Sequence, residues 1–363
     1  MTTATTLPHT LSRRRRTVAL WLLTVAGVIL AMITVGGLTR ITGSGLSITE
    51  WDPIMGAVPP ISDAAWQDAF AKYQRIPQYI HEHAGMTLDE FKGIYWWEWA
   101  HRLLGRLLGV LFFVPFVLFA WIGAIRRPEW PRMLLLFALG GLQGFVGWWM
   151  VESGLETRVS VSQYRLAIHL GVALILLVAI FWTALEYLRL PSSANEKAER
   201  STPSQAMRAG GIASWPIVIA ILVYFQMLLG ALVAGLHAGF IYNTWPLMDG
   251  RFVPEDALAQ SPWWINFFEN PGMAQFDHRI GAYVIALAVF ALWWTERGMA
   301  LPGLAKRSGI ALVHLTLFQI ALGITTLLLQ APEFLAALHQ LTAALLLCAV
   351  TWHIFELRHA ARA

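Results

Sequence analysis

The sequence predicts an all-α membrane protein whose eight transmembrane helices form two pseudo-symmetric four-helix bundles. This prediction rests on the composition, on eight apolar segments and on an internal repeat. Hydrophobic residues make up 57% of the 363 residues and charged residues only 13%, against about 45–50% and about 25% in soluble domains. So few charged side chains do not cover the surface of a soluble protein of this size. We therefore expect most of the chain to lie in a lipid bilayer.

Eight segments are long and apolar enough to cross a bilayer, which requires about 20 residues each. They are residues 17–39, 94–121, 133–151, 166–187, 213–236, 273–295, 308–330 and 333–356. An even number of crossings places both termini on the same side. Lys and Arg are more than twice as numerous in the termini and in the connections on that side as in the opposite connections. The excess of positive charge predicts that both termini are cytoplasmic.

The first span follows the basic run Arg13–Arg16, as a signal peptide would. Its apolar stretch is too long for a signal peptide and lacks a small-residue cleavage pattern, so we predict that it is an uncleaved first helix. Two outer connections, 40–93 and 237–272, are long and mix Gly, Pro, Trp and acidic residues, which predicts ordered caps over the bundle. Thr87 and Glu90 form a capping-box pattern, so the second helix should begin outside the membrane.

The cytoplasmic stretch 191–211 is polar and carries helix-breaking residues at both ends. This composition is typical of a linker between two folded units. We therefore predict an N-terminal four-helix bundle in residues 1–190 and a C-terminal four-helix bundle in residues 212–363.

An internal repeat supports this division of the chain. Gly36, Gly45, Trp51, Gly56 and Pro60 recur 194 residues later as Gly230, Gly239, Trp245, Gly250 and Pro254. Further along, His101-Arg102 matches His278-Arg279, Gln143 and Gly147 match Gln319 and Gly323, and His169 matches His339. Matched positions in the same order on four helices predict one duplicated unit with both copies facing the same way.

Four histidines occupy matched positions near the outer ends of the even-numbered helices: His101, His169, His278 and His339. Polar groups in hydrocarbon are costly and usually functional, and imidazoles that face each other across a bundle can ligate heme iron from both sides. Gly105 and Gly281, about one turn further on, would leave room for a porphyrin. The alternative for any single intramembrane histidine is a hydrogen-bonded packing residue.

The other histidines are not predicted to be ligands. His314 lies within a span, but the same register of the first half holds Ala138, so His314 is interpreted as structural. His237 lies in an outer connection, and His353 and His359 lie at the cytoplasmic end of the last helix.

One acidic position distinguishes the two halves. Glu98 precedes His101 by three residues and shares its helix face, whereas the equivalent residue before His278 is Gln275. A carboxylate at a heme site could take up protons or stabilise positive charge during an oxidation. The alternative is a structural ion pair with Arg102 four residues later. Asp277 is likewise interpreted as a partner for an arginine.

Two arginines follow the matched histidines directly. Arg102 and Arg279 could bind heme propionates, because a guanidinium presents a fork of donors to a carboxylate. The alternative is that they extend toward the membrane surface as ordinary basic residues near a helix end.

Several other chemistries are excluded by the sequence. Cys348 is the single cysteine and lies in an apolar run, so the chain has no disulfide, no redox CxxC pair and no thiolate cluster. No Walker loop, dinucleotide fingerprint or HExxH motif is present. The basic residues lie in short segments between apolar runs, so no nucleic-acid partner is expected.

These motifs resemble those of the heme A synthase family, in the cysteine-lacking form similar to the mitochondrial enzyme. The resemblance rests on GGLTRITGSGLSITEW (36–51), MTLDEFKGIYWWEWAHRLLGR (86–106), NTWPLMDG (243–250) and FDHR (276–279), and it covers essentially the whole chain. It implies oxidation of the C8 methyl group of heme O to a formyl group, which gives heme A for cytochrome c oxidase.

The resemblance also implies roles for the candidate residues. His101 and His169 would flank the substrate heme, with Glu98 as the catalytic carboxylate. His278 and His339 would ligate the iron of a heme b cofactor that relays electrons. Expected partners are heme O, the heme O synthase that produces it, an unidentified electron donor, the lipid bilayer and a second copy of the chain.

The expected location is the inner membrane of a bacterium, with the heme sites toward the periplasmic side. One other function stays open from the residues alone, a diheme b-type cytochrome that only transfers electrons. A transporter built from repeats would need polar residues at the membrane midplane, whereas here the polar residues cluster near one face.

Overall fold

The computed structural model describes residues 6–52, 55–189, 212 and 214–362, and within these ranges it contains helices and no β-strand. The α-helices, numbered in chain order, are α1 (Thr6–Ile41), α2 (Asp63–Tyr73), α3 (Pro77–His81), α4 (Leu88–Trp121), α5 (Trp130–Glu152), α6 (Gln163–Leu188), α7 (Trp215–Gly235), α8 (Asn266–Glu269), α9 (Pro271–Glu296), α10 (Gly303–Leu328) and α11 (Glu333–Arg362). The predicted all-α fold is confirmed, while the predicted linker 191–211 lies outside the described residues.

Eight helices are long and apolar enough to cross a membrane: α1, α4, α5, α6, α7, α9, α10 and α11. Each of them contains or overlaps one of the eight predicted segments. Large apolar side chains remain exposed along these helices, such as Leu287 at 70% and Leu317 at 61%. Exposure of this kind along every long helix is appropriate for a surface in contact with lipid. The chain is a multi-pass membrane protein.

The helices pack in the same order in both halves. In the first half α1 contacts α4 and α6, and α5 contacts the same two helices; in the second half α7 contacts α9 and α11, and α10 contacts the same two. The halves meet where α1 packs on α11 and α6 packs on α7. Fully buried residues such as Leu22, Leu177 and Val350 lie in one continuous core. This common packing order is what a duplicated unit predicts.

We call the end of the molecule at which α4, α6, α9 and α11 begin the outer end. The first outer connection folds over it, because α2 and α3 bury aromatic residues, including Tyr73, against Phe91 and Tyr95 of α4. Helix α4 begins at the predicted capping box: the Thr87 backbone nitrogen donates to Glu90 Oε2 at 2.7 Å, and Glu90 N donates to Thr87 Oγ1 at 3.4 Å. The helix therefore starts before its apolar segment, as predicted.

Candidate functional site

The four matched histidines lie on α4, α6, α9 and α11 near the outer end, and each ring faces a glycine of another helix. A Cβ atom added to Gly36 would lie 2.9 Å from His101 Cε1, and the corresponding distances are 2.9 Å from Gly147 to His169, 3.2 Å from Gly230 to His278 and 2.8 Å from Gly323 to His339. Carbon atoms in ordinary contact are about 3.5–4.0 Å apart, so a larger residue would displace the imidazole. The repeated glycines thus provide the space that the histidine rings occupy.

The second histidine pair has the spacing of two ligands that share a metal ion. The ring centroids of His278 and His339 are 6.4 Å apart, and the rings are inclined by 75°. Metal–nitrogen bonds of about 2 Å on opposite sides of one ion put the two ring centroids about 6 Å apart. In the first half, His101 and His169 are close enough to interact electrostatically. The structure therefore brings together the pairs predicted from the sequence.

The residues fit a heme better than a bare metal ion. The described residues contain no group of three or more His, Cys, Asp or Glu side chains that could hold a metal ion. Two histidines leave most positions around an iron open, and a porphyrin supplies four nitrogen ligands. His101 Nδ1 is a buried atom without a hydrogen-bond partner, and such an atom calls for a bound group or water.

Three of the four histidines are held by a glutamine of another helix. Gln143 Nε2 donates to the backbone oxygen of His169 at 3.0 Å, Gln319 Nε2 to that of His339 at 2.9 Å, and Gln226 Nε2 to that of His278 at 2.7 Å. In each case the same nitrogen lies 3.1 Å from the ring Nδ1. The bond to the backbone oxygen fixes the helix turn that carries each ring.

His101 is the exception among the four. The residue of α1 that corresponds to Gln226 in the repeat is Met32, which offers no hydrogen bond to a ring nitrogen. Gly281 leaves space for Gln226, because a Cβ atom added there would clash with Gln226 Oε1, whereas one added at Gly105 would be in ordinary contact with Met32 Cε, at 3.5 Å. That these two glycines make room for a porphyrin stays a prediction. The first site is therefore held by one glutamine and the second by two.

Glu98 is buried, with 3% of its surface exposed, and accepts hydrogen bonds on both oxygens. Ser47 Oγ donates to Oε2 at 2.8 Å, and the backbone nitrogen of Ile48 donates to the same atom at 2.9 Å. Arg102 donates to Oε1 through Nη2 at 2.7 Å and through Nε at 3.0 Å. The ion pair that the sequence left open is therefore present, and it fixes the carboxylate about one turn of α4 before His101.

The equivalent position of the second half holds Gln275, whose amide nitrogen donates hydrogen bonds to the outer connection, whereas Glu98 accepts them. Gln275 Nε2 donates to the backbone oxygens of Ala238 at 2.7 Å and Ile241 at 2.6 Å, and its Oε1 accepts from Arg279 at 2.8 Å. The outer connection thus offers donors to Glu98 in one half and carbonyl acceptors to Gln275 in the other. Each connection matches the side chain that it contacts, so the asymmetry extends beyond one residue.

Arg102 and Arg279 make matching contacts in the two halves. Arg102 donates to the backbone oxygens of Ile48 and Glu50, at 2.8 and 2.9 Å. Arg279 donates to those of Tyr242 and Thr244, which lie 194 residues further along, at 2.7 and 2.9 Å. Both arginines therefore fasten an outer connection to the helix that carries a histidine, and their binding of propionates stays a prediction.

The other histidines make different contacts. His314 Nδ1 lies 2.9 Å from the backbone oxygen of Ile310, one turn away. His237 Nε2 lies 2.9 Å from Arg40 Nη2 and joins the two halves at the outer end. Burial and the charge of Arg40 lower the pKa of His237, so the neutral ring accepts from this arginine.

Polar groups at the inner end were not predicted from the sequence. His353 is fully buried, and its Nε2 lies 2.7 Å from Glu296 Oε1 while its Nδ1 lies 2.9 Å from Ser308 Oγ. In addition, Trp182 donates to Glu186 at 2.9 Å and Trp352 to Glu356 at 3.2 Å. The last two contacts repeat at a spacing of 170 residues, which is also the spacing between His169 and His339. The internal repeat was therefore the sequence signal from which this pair of Trp–Glu contacts could be predicted.

Comparison with known proteins places these features in a family. Residues 19–351 match the sequence model of COX15-CtaA, described as cytochrome oxidase assembly protein. The chain is 47% identical over 340 residues to the heme A synthase of Parvibaculum lavamentivorans, covering 94% of each chain. It is 48% identical over 338 residues to that of Rhizobium etli (91% of this chain, 86% of the relative), and 42% identical over 360 residues to that of Nitrosospira multiformis (97% and 98%).

Proposed function

Because the chain belongs to the COX15-CtaA family of cytochrome oxidase assembly proteins, we propose that it makes heme A by oxidising the C8 methyl group of heme O to a formyl group. The observation that carries this proposal is the pair of matched two-histidine sites, of which only the first has a carboxylate. The resemblance to the curated heme A synthases extends over more than nine-tenths of the chain. The proposal assigns an exchangeable heme to one of these sites and a resident heme to the other.

We assign the first site to the substrate and the second to the cofactor. His101 and His169 would hold heme O, and His278 and His339 would hold heme b, which supplies one-electron chemistry when bound. The hydrogen bonds around the ligand histidines favour this assignment of the two sites. Glutamines hold the helix turns of both ligands of the second site, as suits a resident group, whereas Met32 occupies the corresponding position beside His101.

Glu98 is the candidate catalytic carboxylate in this assignment. Its two oxygens are fixed by Ser47, Ile48 and Arg102, so the negative charge has a defined position three residues before His101. A fixed anion stabilises positive charge that develops on a nearby group during oxidation, because no reorganisation is needed when the charge forms. Two successive two-electron oxidations, each adding one oxygen atom to the methyl carbon, would give a hydroxymethyl group and then a gem-diol, which loses water to form the aldehyde. Both oxidations require an external oxidant.

Heme O would reach the first site through the membrane. Heme O is large and apolar, so it would enter laterally from the lipid between helices, with its propionates toward the outer end and within reach of Arg102. The charge distribution of the connections supports cytoplasmic termini, and the outer end would then face the periplasm. Heme O synthase is the expected source of substrate, and direct transfer between the two proteins is part of the proposal.

The proposal is tested with Glu98→Gln. The variant should retain both hemes, because Glu98 ligates neither iron, but it should form no heme A and should accumulate heme O or its first oxidation product. Heme extraction and chromatography of the purified protein measure this result. Formation of heme A at the normal rate in Glu98→Gln would contradict the assignment.

Ser47→Ala is the matched control variant. It removes one hydrogen bond from Glu98 Oε2 and leaves the carboxylate, the Ile48 donor and the ion pair with Arg102 in place. Loss of one such bond costs about 1–3 kcal/mol when a charged group is involved. Ser47→Ala should therefore slow heme A formation without abolishing it. If both variants were equally inactive and equally unstable, Glu98 would be a structural residue.

A further inference from the structure

An apolar cavity of about 450 Å³ opens near the outer end of α7 and α9. Its lining includes Leu229 of α7, Asp277 of α9 and four aromatic side chains of the second outer connection, Trp263, Trp264, Phe267 and Phe268. Trp263 and Trp264 are more than half exposed, so the cavity faces the surroundings of the molecule. Its volume lies within the usual range for small-molecule sites, about 300–1,000 Å³.

The aromatic wall of this cavity is held in place by polar residues of the same connection. Asn266 is fully buried, and its Nδ2 donates to the backbone oxygens of Gln260 at 2.8 Å and Trp263 at 2.9 Å. Glu269 accepts from the Tyr164 hydroxyl at 2.6 Å, which fastens the wall to α6. These bonds do not involve a ligand, so the wall has a defined shape before any ligand binds.

Asp277 has no partner for its carboxylate. It makes no hydrogen bond and no ion pair with any described residue, because Arg279 donates instead to the backbone oxygens of Tyr242 and Thr244. Side chains of an α-helix tilt toward its N-terminus, so the Asp277 carboxylate extends toward the outer end of α9. An ionisable side chain without a partner in an apolar membrane site is costly and indicates a function. A cationic ligand would supply that partner.

The lining of the cavity selects the class of cation. The faces of aromatic rings attract organic ammonium groups, and a carboxylate accepts short hydrogen bonds from an ammonium N–H. A metal ion is disfavoured, because it requires several oxygen or nitrogen ligands, and the part of the chain that the structure describes has no group of three or more acidic, His or Cys side chains that could hold one. The chemistry of the lining thus favours a primary alkylammonium group.

The position of the cavity identifies the molecule that carries this ammonium group. Both helices that line it are long and apolar enough to cross a membrane, and the cavity lies at their outer end. Exposed tryptophans such as Trp263 and Trp264 are typical of the level of the lipid headgroups. We infer that the cavity binds the ethanolamine headgroup of an outer-leaflet phospholipid, with the aromatic rings around the ammonium and Asp277 as its counter-ion.

A lipid bound here would cover one side of the second histidine pair. Leu229 precedes Gly230, the residue that His278 faces, and Asp277 precedes His278 itself. The position equivalent to Asp277 in the first half holds Ala100, which offers no counter-ion. This difference suits a closed site for a resident heme and an open site for a substrate. Only this consequence rests on the proposed function, whereas the binding of the lipid does not.

The test measures which phospholipid the protein retains. The full chain is reconstituted in bilayers that contain equal amounts of phosphatidylethanolamine and phosphatidylglycerol, is extracted in mild detergent, and its retained lipids are quantified by mass spectrometry. Phosphatidylglycerol has no ammonium group and adds a negative charge beside Asp277. We expect the wild type to prefer the ethanolamine lipid about tenfold and Asp277→Asn to retain both lipids about equally, since a charged hydrogen bond is lost.

Glu333→Gln is the matched control, because Glu333 is an exposed acid at the start of α11 and does not line the cavity. It should retain the wild-type preference. A second variant, Trp263→Leu combined with Trp264→Leu, keeps apolar side chains but removes two aromatic faces. It should lower the preference about threefold or more, and it provides the same test if Asp277→Asn does not fold.

Equal retention of the two lipids by the wild type, or an unchanged preference in Asp277→Asn, would overturn the inference. Displacement of the retained lipid by millimolar free ethanolamine would also overturn it, because the site would then bind the small cation and not a phospholipid. Neither measurement involves heme A. A protein that selects the ethanolamine lipid through Asp277 but forms no heme A would retain this site and lose the proposed function, and the reverse result would retain only the proposed function.

Discussion

Replacing Gly147 by alanine tests whether the repeated glycines position the ligand histidines. The added Cβ would lie 2.9 Å from His169 Cε1, about 0.6 Å closer than the shortest comfortable carbon contact. The ring has little freedom to move away, because Gln143 holds the His169 backbone oxygen at 3.0 Å and lies 3.1 Å from Nδ1. We therefore expect an overpacking cost of about 1–3 kcal/mol and a displaced ligand nitrogen.

The control for this change is Gly144→Ala on the same helix. Gly144 has no atom within 4 Å of its added Cβ, so the substitution should only improve helix propensity, by about 1 kcal/mol. The two alanines should thus differ by about 1–3 kcal/mol in stability although their chemical change is identical. Thermal unfolding and the heme content of the first site measure both effects. Equal stability and equal heme content in the two variants would refute the packing argument.

Two further predictions concern residues that distinguish the halves. Gln226→Met should accelerate loss of the resident heme to an acceptor apoprotein, and Met32→Gln should slow loss from the first site, each about two- to tenfold for one hydrogen bond; unchanged loss rates in both variants would contradict the positioning role. At the inner end, His353→Phe leaves the buried Glu296 Oε1 without its hydrogen-bond partner and should destabilise the protein by about 1–3 kcal/mol, whereas adding Glu296→Leu should restore most of the loss in thermal unfolding.

Much of the fold was predictable because lipid imposes a simple requirement on the sequence. About 20 consecutive apolar residues define a span, and all eight spans were found in this way. The capping box at Thr87 and Glu90 was predictable because its contacts are local. The four histidines were selected because a repeat converts a weak signal at one position into a strong signal at matched positions.

The contacts that orient the histidines were not predictable from local patterns. Gln226 contacts His278 although the two residues are 52 positions apart in the sequence. Its counterpart Met32 reveals a difference between the two sites only when the packing of the helices is known. The partner of Glu98 in α4 was foreseen as Arg102, but the donors Ser47 and Ile48 come from a connection about 50 residues away. Likewise, Asp277 was expected to pair with an arginine and makes no such pair within the described residues, because Arg279 donates instead to backbone oxygens of Tyr242 and Thr244.

The central claim is that two histidine pairs hold two different hemes. Extraction and chromatography of the hemes from purified wild-type protein, beside His101→Ala and His278→Ala, test it most directly. The account predicts heme b together with heme O or heme A in the wild type, loss of the O or A type in His101→Ala and loss of heme b in His278→Ala. A wild-type protein that contains heme b alone, or variants that lose both hemes equally without unfolding, would contradict it.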